Sequence, residues 1–431
     1  MRLLLIHQNF PGQFSHLARV LAERGHEIVA LGHHTDRILP PGITYGAYSL
    51  AQQPEAAASI IDPLLELALQ RAERVATACR QLAGSGWRPE AVIFHSAWGE
   101  GLYLRDVWPE TVLVAYPELY GTPEALGHGY DTDLAPIAPA QAAALRRQNL
   151  TALAAIADSD AVICPTRHQR DSFPAHLRRR FRVIHEGVDC RLLRPRGDLA
   201  LQLSSTLTIR PGDPLITYCS RHLEPLRGFP TFLRALPELQ RKHPRLQVAI
   251  VGETSHGYGP PSPHPGSYAG ALIEELGEQL DLSRLHRLGT IPHAHLVGLF
   301  QLSRAHVYLT YPYALSWSLL EAMACGAPVV GSRCAPVQEV IRDERNGLLV
   351  DFNDPQQLCN ALDRLLLDPG LGRRLGRAGR RCVQRRFSLE RGVRAYETLL
   401  NDLIAAASAR SASAPDPPVP ASRAERAAAA G

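Results

Sequence analysis

The chain has 431 residues, 45% of them hydrophobic and 20% charged, enough for two domains with full cores and typical of a soluble globular protein. Its net charge of +4 is too small to argue for a nucleic-acid partner. Lys242 is the sole lysine, which excludes a G-K-[ST] phosphate loop and restricts any lysine Schiff base to a polar R-K-H-P turn. The eight cysteines form no C-x-x-C pair and no ligand cluster with histidine, and most sit in apolar segments, as reduced thiols of a cytoplasmic protein would. The apolar run after Met1-Arg2 is too short for a signal peptide, and no apolar run reaches the ~18 residues of a membrane span.

In chain order, Leu3–His7 is predicted as a buried strand, His16–Arg24 as an amphipathic helix ended by Gly25, and Ile28–Leu31 as a second strand. The loop after the first strand, H-Q-N-F-P-G-Q-F-S, lacks G-x-G-x-x-G, against an oxidoreductase-type dinucleotide fold. Gly12 in that loop suits close backbone approach to a ligand, and equally an ordinary turn. Pro63–Leu82 reads as a long helix, and Ala91–His95 and Val112–Tyr116 as strands. His95 falls at a strand's carboxyl end, where α/β sheets bind ligands, beside Trp98 and a Gly99/Gly101 turn. Tyr116–Gly129 is a polar, aromatic loop suited to lining a groove or to covering the sheet edge. A helix over Gln141–Ala157, a strand over Ala161–Cys164 and a short helix from T-R-H-Q-R-D-S-F follow, and Val183–Ile184 leads into H-E-G-V-D. The Arg178–Arg182 cluster fits either a solvated face or an anionic membrane surface, and Leu192–Ser205 is the expected linker.

The pattern then restarts, with strands at Leu215–Cys219 and Gln247–Val251 around a helix ending at Gln240. Strands Leu285–Leu288 and His306–Leu309 flank a helix at His295–Leu302. The most informative stretch is Tyr308–Ser332, Y-L-T-Y-P-Y-A-L-S-W-S-L-L-E-A-M-A-C-G-A-P-V-V-G-S. Ser316 sits where an N-cap belongs, Leu319, Leu320, Met323 and Ala324 recur at helical spacing, Gly326 closes the helix and Val329 opens a strand. Such a helix start carries unpaired N–H groups and about half a positive charge, which suits phosphate. Glu321, one to two turns in, is within reach of a ribose on that phosphate; a capped amphipathic helix with a surface glutamate would read the same way. Helices follow at Pro355–Leu366, at the arginine-rich Leu371–Phe387 and at Leu389–Ile404, and the Ala/Ser/Pro-rich Ala405–Gly431 is predicted to be disordered.

The S-L-L-E-A-M-A-C-G-A-P-V-V segment resembles the donor-site signature of family 4 glycosyltransferases, retaining enzymes with the GT-B fold. The resemblance implies an α/β protein of two Rossmann-like domains facing a central cleft: an acceptor-side domain over 1–200 and a nucleotide-sugar domain over 201–387, with a helix over 388–404 crossing back and a tail over 405–431. It gives Glu321 to the donor ribose and the Ser316, Trp317 and Ser318 segment to the diphosphate. Tyr313 stands where the family usually has a first glutamate that touches the transferred sugar, and Glu186 where most members have Asn before G-V-D. The family's G-R-x-x-x-x-K-G motif is matched by S-R-H-L-E-P-L-R-G, with Ser220 for the first glycine, Arg227 for the lysine and one extra residue of spacing, so Arg221 and Arg227 are expected to hold the diphosphate. By the same resemblance Gly12 faces the donor phosphates and His95 reaches the sugar.

The reaction implied is retaining transfer from a nucleotide-diphospho-sugar to a glycan, lipid-carrier or small-molecule acceptor. Helix amides and the two arginines would stabilise the leaving diphosphate, without a cofactor and, absent a D-x-D-type cluster, without a metal. A catalytically weak nucleotide-sugar-binding protein is the alternative raised by Tyr313 and Glu186, and an NAD(P)-dependent two-domain oxidoreductase the other. The expected location is the cytoplasm, with peripheral contact at the inner membrane face.

Overall fold

Strands made almost wholly of Leu, Ile, Val and Ala are shut off from water on both faces, which is what a parallel sheet covered by helices requires. In the computed structural model, which describes residues 1–36, 39–50, 62–130, 137–255, 257, 262 and 266–413, these strands build two parallel sheets. The first holds β1 (Arg2–Ile6), β2 (Glu27–Gly32), β3 (Ile43–Ala47), β4 (Ala91–His95), β5 (Val112–Tyr116), β6 (Ala161–Cys164) and β7 (Phe181–Val183) in the order β3-β2-β1-β4-β5-β6-β7. A small antiparallel hairpin of β8 (Leu201–Gln202) and β9 (Thr208–Ile209) falls inside and just after the expected linker. The second sheet holds β10 (Leu215–His222), β11 (Gln247–Glu253), β12 (Leu285–Gly289), β13 (Ala305–Tyr308), β14 (Val329–Ser332) and β15 (Leu348–Val350) in the order β12-β11-β10-β13-β14-β15. Leu3, Leu4, Leu5 and Ile6 of β1 are fully buried, and each such side chain contributes about 1.5–3 kcal/mol of burial free energy.

In each sheet the strand order reverses beside the first strand, between β1 and β4 and between β10 and β13. Loops leaving the carboxyl ends on either side of such a reversal splay apart and open a crevice. The two crevices face each other. The last helix, Leu389–Ser413, packs Leu389, Val393, Tyr396 and Leu400 into the core of the first sheet. It runs past the predicted end at Ile404, because Ala405–Ser413 is rich in good helix formers; residues 414–431 lie outside the described residues.

Other differences are local. The strand expected over His306–Leu309 spans Ala305–Tyr308, and Leu309–Tyr311 continue as buried but irregular chain. Strand β3, I-T-Y-G-A, carries only a short, half-buried alternation that the sequence reading passed over, and it forms as an edge beside β2. In the Arg178–Arg182 cluster, Arg178 donates to the Phe173 and Asp171 carbonyls and Arg180 to the Ser159 carbonyl, so half of its charge ties down backbone and does not form a free basic face. All eight cysteines are free thiols, and none is exposed. No described helix is long and apolar enough to cross a membrane.

Candidate active site

Between the two sheets lies a cleft of about 420 Å³, lined from both sides by loops that leave strand carboxyl ends. From the first sheet come His7, Gln8, Asn9, Gly12 and Gln13 after β1, His95 and Trp98 at the end of β4, and Glu118 after β5. From the second come Ser220 and Arg221 at the end of β10, Arg227 just after it, and Tyr308, Tyr313, Ser316, Trp317 and Ser318 at and after β13. Of the residues expected from sequence, Gly12, His95, Arg221, Arg227, Tyr313, Ser316, Trp317 and Ser318 therefore share one cavity wall. Glu321 is not among its lining residues.

The Trp317–Ala324 helix begins as its sequence dictates. Ser316 is extended, and its hydroxyl accepts from Ser318 N at 3.3 Å while its own amide donates to the Tyr308 hydroxyl at 2.9 Å. Leu319, Leu320, Ala322, Met323 and Ala324 are buried, which fixes the helix against the sheet and aims its free amides at the cleft. Glu321, only 5% exposed, accepts a hydrogen bond from His293 Nε2 at 2.9 Å through one carboxylate oxygen. That bond raises the His293 pKa.

Arg227 is held more tightly than a surface arginine. Its Nη1 donates to Thr310 Oγ1 at 3.3 Å, and its guanidinium lies over the Tyr313 ring, 5.4 Å from the centroid. Burial works to lower its pKa, but Tyr308, Tyr311, Tyr313 and Glu224 around it outweigh that and leave the group firmly cationic. Arg221 is exposed at the rim. Tyr313 stacks on Tyr311 at 5.2 Å, while Trp317 stacks on His16 of the opposing Ser15–Glu23 helix at 5.1 Å.

The facing wall is built on histidines. His95 is fully buried, and neither ring nitrogen has a hydrogen-bond partner, although Glu118 Oε2 stands 3.7 Å from Nε2. Such a group faces a cleft at a cost unless a ligand completes it. His7 packs edge-on against His95 at 4.9 Å; it accepts from Asn9 N through Nδ1 and so donates to Gln13 through Nε2. Burial, with His95 beside it, lowers the His7 pKa to about 3 and keeps it neutral. Gly12 has φ +44°, and a Cβ there would come within 2.5 Å of the His7 ring, so only glycine fits this loop. Buried Glu100 accepts from Gln8 N at 3.1 Å and anchors the same loop.

Sequence reading missed His7, Gln13, His16, Glu118 and His293. Only the position of His7 and Glu118 just past strand ends would have marked them. Glu253, at the end of β11, accepts from Thr290 at 3.0 Å and Ser255 at 3.3 Å and lines a neighbouring groove.

Two family descriptions match the chain in succession, "Glycosyl transferase family 4 group" over residues 24–193 and "Glycosyl transferases group 1" over residues 206–382. The chain belongs to the family 4 glycosyltransferases. Among its family relatives, the D-inositol 3-phosphate glycosyltransferase of Frankia alni is 34% identical over 227 residues, 51% of this chain and 53% of the relative. That of Corynebacterium jeikeium is 32% identical over 194 residues, 44% of each chain. The chain thus spans about half the length of the curated relatives it matches, or less. The solved sucrose-phosphate synthase from Thermosynechococcus elongatus superposes with a TM-score of 0.70 at 21% identity, covering 94% of this chain and 100% of the other. HepE of Anabaena, solved in complex with UDP and glucose, gives 0.66 at 16% identity, covering 93% and 100%. At these identities the likeness establishes the GT-B fold that family 4 shares.

Proposed function

We propose that the chain is a retaining glycosyltransferase that moves a sugar from a nucleotide-diphospho-sugar to an acceptor hydroxyl. The observation that carries this reading is the convergence on one cleft of Arg221, Arg227 and the capped start of the Trp317–Ala324 helix, opposite an unpartnered His95. As the glycosidic bond to the diphosphate breaks, negative charge grows on the leaving oxygens. Fixed cations and amides stabilise it more in the transition state than in the ground state, and need no metal to do so. Glu321, with one oxygen on His293, keeps the other for the donor ribose. His95 hydrogen-bonds a hydroxyl of the transferred sugar, and the acceptor, a glycan, lipid-linked or small molecule, enters past Trp98 and Glu118. In a front-face mechanism the leaving phosphate takes the acceptor proton, so the protein supplies position and field and no carboxylate nucleophile.

A thermal-shift panel of UDP, GDP, ADP, CMP and NAD tests the reading. A nucleoside diphosphate should raise the melting temperature by several degrees, and HepE's complexes make UDP the first choice. Stabilisation by NAD alone would overturn it. Consumption of the matching donor sugar, by transfer or slow hydrolysis, separates the enzyme from a mere binder.

A further inference from the structure

The Pro369–Arg386 helix, P-G-L-G-R-R-L-G-R-A-G-R-R-C-V-Q-R-R, holds seven arginines and no carboxylate, more charge than the +4 of the whole chain. Small residues fix which way it faces. Gly372, Gly376 and Gly379 are buried with Leu375 and Val383, and a Cβ on Gly376 would strike the Gly326 carbonyl, so the helix lies directly against the end of the Trp317–Ala324 helix. Three of the seven arginines hold backbone. Arg374 donates to the Glu344 carbonyl at 3.1 Å, Arg380 to the Leu193 and Cys190 carbonyls at 2.6 and 3.2 Å, and Arg386 to the Glu339 carbonyl at 2.9 Å. The other four, Arg373, Arg377, Arg381 and Arg385, fall four residues apart and are all exposed. Among the described residues, none of these four has a hydrogen bond or an ion pair.

Like charges at this spacing on one helix face repel. The carboxylates at its edges are taken: Asp368 caps the helix start, Glu344 pairs with Arg364 and Glu390 with Arg394. At about 1.5 Å per residue the four arginines span roughly 18 Å, one every ~6 Å, which is longer than a single phosphate or diphosphate. Bare aliphatic side chains bound the stripe. Leu367, 70% exposed, precedes the N-cap Asp368. Leu192, 71% exposed, lies in the 190–193 segment that Arg380 holds, between exposed Arg191 and Arg194. We propose that this face is a docking surface for an anionic lipid bilayer: the arginines meet the headgroup charges, and Leu192 and Leu367 enter the boundary between headgroups and acyl chains. A nucleic acid would satisfy the arginines equally well, but its phosphate backbone gives the two leucines nothing apolar to enter.

Co-sedimentation of the full chain with vesicles tests this, and it needs neither donor nor acceptor, so its outcome is independent of the transferase reading. The protein should bind vesicles of three parts phosphatidylcholine to one part phosphatidylglycerol, and bind phosphatidylcholine alone about tenfold more weakly or less. The difference should vanish as salt rises from about 0.1 M to about 0.5 M. Arg377→Gln with Arg381→Gln should weaken binding to the mixed vesicles about 25-fold, a factor of about five for each charge, and Arg→Gln at all four positions should abolish the preference for anionic lipid. Arg→Lys at the same four positions keeps the charge and should bind within about twofold of wild type. Leu192→Ser with Leu367→Ser should weaken binding at every salt concentration and leave its salt dependence unchanged. Glutamine is as good a helix former as arginine and removes the repulsion, so a melting temperature no lower than wild type certifies the variants as folded. If the fourfold change lowers it, the double variant decides. Failure to bind anionic vesicles, equal binding to both vesicle types, or a folded glutamine variant that binds as wild type does overturns the assignment. Retention of a DNA duplex by a protein that ignores the vesicles would also overturn it and make the face a nucleic-acid contact.

Discussion

At the scale of single residues, the cleft departs from its family at Tyr313, and the departure has a physical consequence. A phenol offers one hydroxyl where a carboxylate offers two charged acceptors, and here its ring also carries the Arg227 guanidinium. We expect Arg227→Ala to lower kcat more than it raises the donor KM, and Arg227→Lys to recover much of the loss, because charge grows towards the transition state. Loss of donor affinity with kcat intact would make Arg227 a uniform binding residue. Tyr313→Phe keeps the stack on Tyr311 and the cation–π contact and removes only the hydroxyl, so any change in sugar preference across a donor panel measures that one group. For Glu321→Ala we expect nucleotide affinity to fall by about 1.5–3 kcal/mol, a charge-assisted hydrogen bond, and calorimetry against UDP checks it. Unchanged affinity for every nucleoside diphosphate would remove Glu321 from the ribose site.

At the scale of elements, two short pieces of backbone carry the site. The Ser316 hydroxyl caps the helix start and orders the amides that the proposed site would offer to phosphate. Ser316→Ala should cost about 1 kcal/mol of stability and weaken UDP binding as well, seen as a lower melting temperature and a smaller shift on adding UDP. The loop after β1 depends on glycine. Gly12→Ala must tolerate both a left-handed backbone and a Cβ 2.5 Å from His7, so it should lose about 1–3 kcal/mol and disturb the histidine wall. A melting temperature equal to wild type would show that the loop yields more easily than its packing implies.

At the scale of the molecule, polar contacts pin the two sheets together around the cleft. Glu339 accepts from the Arg167 and His168 amides at 3.0 and 2.5 Å, and Asn353 donates to the Tyr130 carbonyl at 3.0 Å. Buried histidines set the acid limit of the whole fold. Burial depresses the pKa of His7 to about 3, of His185 to about 4 and of His306 to about 3, against 6.5 when unfolded. The unfolded chain therefore binds more protons between pH 6.5 and about 3, so their contribution is complete above 6.5 and is lost as pH falls through that window. Glu186, with its pKa raised to about 7, and Glu100, raised by burial, act in the opposite sense, but His16, His168 and His286, all lowered by burial, add to the three histidines. The melting temperature should thus fall steadily from pH 6.5 to pH 4, and a flat profile would refute this assignment.

Much of this protein was decided by its sequence alone. Apolar runs such as Leu3–Ile6 and Ala91–Phe94 fit strands buried on both faces, and the capped Ser316–Gly326 segment carries its helix start and stop in local chemistry, so the fold class and the boundaries of this helix were legible. The arginines at and after the end of β10 and the donor-like segment after β13 were legible for the same reason, since each lies within a few residues of the strand end that positions it. What remained hidden was set by contacts between distant parts of the chain. Strand β3 exists because β2 offers it an edge, His16 meets Trp317 across the cleft, and His293 finds Glu321 from a separate helix. Glu186 read only as a departure from a motif. Its enclosure between β5 and the last helix raises its pKa, because desolvation depends on everything packed around a group and not on its neighbours in sequence.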